Sequence, residues 1–188
     1  MPELPEVETI RQGLSKKVIN KKITKVEFKK PNLVRNKQAS FKALLNNNNI
    51  LNIDRIGKLL IFVLNNNSFL LIHLKMTGQL IYSSGKDLIA GGHNFPPVDN
   101  LPNKYSYIIF SFIDGSFLYF NDMRQFGYME IVDENNLEKI KKKYGIEPGQ
   151  KDFTLKNFRA IMKGRRGVLK AFLLNQQFIA GIGNIYAD

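Results

Sequence analysis

Val7, Ile10, Leu14 and Val18 recur at spacings of three and four, the apolar stripe of an amphipathic helix over residues 5–19, with Pro5 tolerated in its first turn. From Ile23 to Val132 the period shortens. Apolar or alternating runs at Ile23–Phe28, Ile50–Ile53, Leu59–Leu64, Phe69–Leu74, Tyr105–Phe112 and Phe117–Phe120 predict strands. Asn47–Asn48, Asn65–Asn67 and Asp114–Gly115 fall between runs, and the last is a hairpin signal because both residues accept positive φ at low cost. Ser83–Lys104, with three Gly and three Pro, has no usable period and reads as a long loop.

Beyond Asp133 the helical period returns at Leu137–Tyr144, Leu155–Met162 and Val168–Asn175. The pattern predicts an α+β protein: an N-terminal helix and an antiparallel β-sandwich over residues 1–132, then an α-helical domain over 133–188. Charge follows the same division. The chain of 188 residues carries a net charge of +12, and residues 139–170, with 11 basic and 2 acidic side chains, hold +9 of it. So cationic a surface attracts polyanions, and nucleic acid leads the partners it implies.

With no Cys and only two His, His73 and His93, the sequence excludes disulfides and cannot assemble a four-ligand structural zinc site. Any such module would lie outside this chain. The first residues carry acids where a secretory signal needs a basic region and an apolar run, and no later stretch reaches about 18 apolar residues. A cytoplasmic protein without a membrane anchor is expected.

Met1–Pro2–Glu3 is the first candidate for chemistry. A small second residue permits removal of the initiator Met, which would expose the secondary amine of Pro2. An α-amino group titrates near about 7.7–8, so part of it is neutral at physiological pH and can attack an electrophilic sugar carbon, with Glu3 shuttling protons. Taken alone, Pro2 is equally an ordinary second residue and Glu3 a solvated acid at a helix start. Lys58, in a turn between apolar strands, is by itself an ordinary solvated lysine, and Met76 and Phe126 are ordinary core residues.

The string MPELPEVET resembles the N-terminus of the bacterial formamidopyrimidine-DNA glycosylase family, which removes oxidised purines from DNA. Four more likenesses follow in the family's order. Ile56–Leu60 resembles its catalytic-lysine turn, His73–Gly78 its intercalating-loop motif, Asp122–Gly127 its Arg-x-Phe loop, and Gly181–Asp188 the turn of its helix–two-turns–helix motif. The resemblance covers residues 1–188. It implies Pro2, Glu3 and Lys58 as catalytic residues, and His73 and Asn184 as phosphate contacts. Met76, Arg124 and Phe126 would fill the space left by an extruded nucleotide. It further implies damaged double-stranded DNA as partner, a monomer, and no cofactor in this chain, the family's structural zinc belonging to a C-terminal finger not found here.

Three departures stand against the pattern. Lys104–Tyr105–Ser106–Tyr107 replaces a Lys-His-Asp-His-like stretch, Gln125 replaces the second arginine of a doublet, and the chain stops at Asp188, one turn into the second helix of the motif. An N-terminal fragment is therefore expected, with that last turn poorly held because so short a helix is marginal in water. The resemblance implies a bifunctional glycosylase and abasic-site lyase; the alternative is a non-catalytic nucleic-acid-binding fragment using its basic helices.

Overall fold

A computed structural model describes residues 1–85, 87–92, 98 and 100–188. Among the described residues nine strands form two antiparallel sheets, one ordered β1-β7-β8-β5-β6 and the other β2-β3-β4-β9. The strands are β1 (Ile23–Phe28), β2 (Ile50–Ile56), β3 (Leu59–Leu64), β4 (Phe69–His73), β5 (Gly78–Ser83), β6 (Leu88–Gly92), β7 (Ser106–Phe112), β8 (Phe117–Asp122) and β9 (Tyr128–Val132). Their inner faces meet in one core that includes Phe62, Ile72, Leu80, Phe110 and Phe120.

Each open side of the sandwich is closed by a helix. Helix α1 (Leu4–Val18) buries Val7, Ile10, Leu14 and Val18 and packs against β6 and β2, edge strands of different sheets. Helix α2 (Gln38–Leu45) buries Phe41 and Leu45 and packs against the opposite edges, β1 and β9. Covered edges leave no free backbone ladder on those sides. After β9 come α3 (Glu134–Lys141), α4 (Leu155–Met162), α5 (Leu169–Leu174) and α6 (Asn184–Ala187). Asp133 caps α3 by accepting from the Asn136 N–H at 2.7 Å, and Leu137 packs on the outer face of the four-stranded sheet beside Leu59, Ile61 and Leu71.

The expected α+β sandwich is present, with elements that the hydrophobic pattern does not reveal. Helix α2 has eight residues and only two buried positions, too few to establish a period. β5 is buried on both faces over Gly78–Tyr82, so its polar alternation is lost, and β6 carries the weak strand sequence LIAGG. β6 lies inside the expected Ser83–Lys104 loop; Lys86, residues 93–97 with His93, and Asp99 lie outside the described residues. The Asp114–Gly115 turn also differs. Only Gly115 has positive φ, at 79°, while the Asp114 carboxylate accepts from the Ser116 N–H at 3.1 Å and hydroxyl at 2.6 Å. Among the described residues no helix is long and apolar enough to cross a membrane.

One buried ion pair ties the sandwich to the helical segment. The Arg55 guanidinium in β2 donates to both carboxylate oxygens of Glu147 at 2.9 and 2.6 Å, to Glu8 at 3.0 Å and to the Gly57 carbonyl at 2.8 Å. Glu147 also accepts from the Gly57 N–H at 2.8 Å. Removing one partner of a buried pair strands the other charge. Glu147→Ala should therefore destabilise the chain by about 3–5 kcal/mol in denaturant unfolding, whereas a loss under 1 kcal/mol would mean that Arg55 finds water instead.

The hydrogen bonds from Arg11, together with those from Gln12 and Arg55, hold the Glu8 carboxyl at about 2, below its ordinary 4.5. A lowered carboxyl stabilises the fold above its unfolded value and ceases to do so as pH falls through its folded one. Stability should thus decline between about pH 4.5 and 2, and Glu8→Gln should flatten that part of a pH–stability curve.

Candidate active site and DNA interface

Strand register gathers the candidate residues at one end of the sandwich. Leu59 pairs with His73 and His73 with Tyr128 in one sheet, while Gly78 pairs with Asp122 in the other. The turn between β2 and β3 is Gly57–Lys58, with Gly57 at φ +54°, so Lys58 stands beside this row. Residues 74–77 cross from β4 to β5 and residues 123–127 from β8 to β9, each passing between sheets at this same end.

The start of the chain meets its last helix here. Glu3, 1% exposed, accepts from the backbone N–H of Gly183 at 2.5 Å, Ile185 at 2.9 Å and Tyr186 at 3.4 Å. Lys58, 6% exposed, donates to the Ile182 carbonyl at 2.9 Å. Glu3 and Lys58 therefore hold the two poles of a single peptide, Ile182–Gly183. A Cβ on residue 183 would lie 2.4 Å from the Glu3 carboxyl, so only glycine admits this contact. Burial pulls the Lys58 ammonium below its ordinary value, and the Glu3 charge counters that. The Leu4 N–H donates to the Gly181 carbonyl at 3.1 Å, and Pro2 is buried behind an exposed Met1.

Three expectations change as a result. Asn184 was expected to contact a phosphate, but the helix-start amides beside it are occupied by a carboxylate of the same chain, leaving Asn184 with an exposed side chain at the first turn of α6. The short helix, expected to be loosely held, is fixed at its N-terminus by that carboxylate. Lys58 is a buried lysine and not a solvated one.

The two crossovers present Met76, Arg124 and Phe126 outward, while Leu74 and Thr77 face inward. Met76 is 40% exposed and Phe126 is 51% exposed, with the Arg124 guanidinium 4.8 Å from the Phe126 ring centre. Lys75, before Met76, and Gln125, between Arg124 and Phe126, have positive φ of 52° and 57°, a region that non-glycine residues enter at a cost. His73 stacks on Tyr128 at 5.6 Å and accepts the Lys75 N–H on Nδ1 at 3.0 Å. That bond leaves the ring proton on Nε2. Burial, with Lys75, Lys58 and Arg35 nearby, lowers His73 to about 3, so the ring is a neutral donor. It lines a cleft of about 460 Å³ with Arg35, Lys58, Lys75, Tyr128 and Lys143.

The family model for the formamidopyrimidine-DNA glycosylase N-terminal domain matches residues 1–129, and that for its H2TH domain matches residues 144–188. The chain belongs to the formamidopyrimidine-DNA glycosylase family. It is 40% identical over 191 residues to the formamidopyrimidine-DNA glycosylase of Pelotomaculum thermopropionicum and 37% identical over 195 residues to that of Ligilactobacillus salivarius. Both matches take in 100% of this chain and 64% of the relative. The fold superposes on Lactococcus lactis Fpg bound to DNA containing an abasic site with a TM-score of 0.85 and 32% identity, covering 99% of this chain and 64% of that one. A complex of the G226P mutant of Lactococcus lactis Fpg with DNA containing Fapy-dG gives 0.84 and 34%, with the same coverage.

Two departures from the family pattern meet in space. Gln125 Nε2 donates to the Tyr107 hydroxyl at 3.2 Å, so two positions expected to depart from the family pattern are hydrogen-bonded neighbours. The sequence reading missed Glu8, Arg55 and Glu147 entirely. Arg55 and Glu147 are 92 positions apart, and no local pattern marks them as partners. Thr77 and Asp122 lie within two of the family-like motifs, and the resemblance implies no role for either.

His73 should stay neutral, with its proton on Nε2, from pH 8 down to about 4.5, as followed by imidazole ¹⁵N shifts assigned through their loss in His73→Asn. A midpoint near the ordinary value of 6.5 would show that the ring is neither desolvated nor held by Lys75.

Proposed function

We propose that this chain is the catalytic part of a bifunctional DNA glycosylase and abasic-site lyase acting on oxidised purines, such as 8-oxoguanine and formamidopyrimidines, in damaged duplex DNA. The observation that carries the reading is the placement of Glu3 and Lys58 on one peptide, directly after Pro2 and beside two exposed, cation-bearing crossovers. Once Met1 is removed, the Pro2 amine attacks the anomeric carbon of the target nucleotide. The base leaves with a proton supplied within the site, and the sugar remains bonded to Pro2 as an iminium. Loss of a C2′ proton then expels the 3′ phosphate by β-elimination, δ-elimination expels the 5′ phosphate, and water releases the sugar fragment. These steps call on no metal or nucleotide.

The other residues serve the same event. Met76, Arg124 and Phe126 enter the stack where the damaged nucleotide leaves, offsetting an unstacking cost of a few kcal/mol. The neutral His73 donates from Nε2 and the buried Lys58 offers its ammonium to the phosphate beside that nucleotide. The exposed Asn184 side chain supplies another phosphate contact. The protein works as a monomer in the cytoplasm. A second reading, non-catalytic binding of nucleic acid, has its own support in the +9 charge of residues 139–170; it gives affinity that falls steeply with salt and no covalent intermediate.

Borohydride should trap an adduct between abasic duplex DNA and the protein starting at Pro2, and none when the terminal amine is blocked. Glu3→Gln should lower base removal by about 10²-fold or more, the scale of losing a general acid–base group, while damaged-DNA binding persists. Equal trapping with a blocked amine would refute Pro2 as the nucleophile, and retained binding without any trapping would favour the non-catalytic reading.

A further inference from the structure

The two crossovers that carry Met76 and the Arg124–Phe126 turn share one buried carboxylate. Asp122, the last residue of β8, is 0% exposed. Its Oδ1 accepts from the Thr77 hydroxyl and from the Arg124 N–H at 3.2 Å, and its Oδ2 accepts from the Gly127 N–H at 2.7 Å. Thr77 Oγ1 in turn accepts from the Arg124 N–H at 3.0 Å. A hydroxyl from one crossover and two amides from the other thus converge on a single side chain. Among the described residues no Lys or Arg forms a salt bridge with Asp122, so its buried carboxyl is held by these neutral donors alone.

The residues around the network need such support. Lys75 and Gln125 keep left-handed backbone next to the exposed Met76, Arg124 and Phe126, and side chains meant to enter a base stack lie far from the core. A buried network with every member paired is rigid, and losing one donor or acceptor leaves the others unsatisfied. We infer that Asp122 is a positioning residue that joins the two crossovers into one wedge, so that Met76, Arg124 and Phe126 enter the duplex as a unit. The wedge action rests on the glycosylase reading above; the coupling between the crossovers does not.

The test uses the whole chain with Thr77→Val, Thr77→Ser and Asp122→Asn. In free protein, Thr77→Val should speed amide exchange over residues 122–127 by about 10-fold, roughly the effect of one unpaired buried group, and Thr77→Ser should restore protection. Asp122→Asn should speed exchange over residues 74–78. On duplex DNA with 2-aminopurine opposite an abasic site, wild type should show one fast fluorescence change and Thr77→Val a change about 10-fold slower in two phases. Cleavage of single-stranded abasic DNA, which has no duplex stack for the wedge to enter and no opposite base for it to face, should be unaltered by Thr77→Val.

Faster exchange confined to the mutated crossover, or a Thr77→Ser variant as impaired as Thr77→Val, would overturn the coupling. An equal loss on single-stranded DNA would reduce Asp122 to a general structural role and overturn the wedge. If wild type leaves abasic duplex intact, the glycosylase reading fails, while the exchange measurements still decide the coupling. Should Asp122→Asn fail to fold, the Thr77 pair alone decides.

Discussion

A buried carboxylate on the third residue, facing the start of the last helix, is the contact on which the rest of the site depends. Glu3 accepts from Gly183, Ile185 and Tyr186, while Lys58 takes the carbonyl on the other side of the same peptide. A helix of four residues has almost no stability of its own, yet its N-terminal amides find the Glu3 carboxyl as acceptor in a water-poor setting. The same contact brings Glu3, the neighbour of Pro2 in sequence, to the peptide that Lys58 also holds. Chain start, central hairpin and chain end are thereby fixed to one point, and Arg55 with Glu147 repeats the tie one layer away.

The sandwich supplies the second constraint. Both crossovers leave one sheet and enter the other at the end where His73, Tyr128, Gly78 and Asp122 lie in register. A register slip of one residue would turn every inward side chain outward, so the large apolar core between the sheets also fixes the position of Met76 and Phe126. Core packing and the aim of the exposed tips are one geometric fact. Closure of both open sides by α1 and α2 keeps that geometry from shearing.

Electrostatics at the site separates into two kinds. Ionisable groups that hold the fold are buried and hydrogen-bonded: Arg55 with Glu147 and Glu8, Glu3 with backbone amides, Asp122 with a hydroxyl and two amides. Charges suited to a polyanion are left at the cleft and over the basic helices, where α4 and α5 bury no residue at all. His73 falls between them, desolvated enough to be neutral and still lining the cleft. A neutral ring there gives a directed hydrogen bond in place of a diffuse charge.

Much of the architecture was legible in the order of residues. Period alone determined α1, α4 and most strands, because a stripe at three and four or a short β-branched run has one low-energy conformation when half buried. The five ordered motifs pointed to the family. The sequence could not show α2 and β6, whose few apolar positions make sense only against edges already formed by distant strands. Nor could it show that the Gly181–Asn184 turn, which looks built for a phosphate, is filled by Glu3 from 180 residues away. Partners such as Arg55 with Glu147, or Thr77 with Asp122, are far apart along the chain, and a buried charge acquires its partner only when the layers close. What the sequence determined by itself was most of the elements and the residue types able to do the chemistry. Which groups are buried, neutral, paired or free was decided by tertiary structure, since desolvation and hydrogen-bond geometry exist only after the sheets and helices meet.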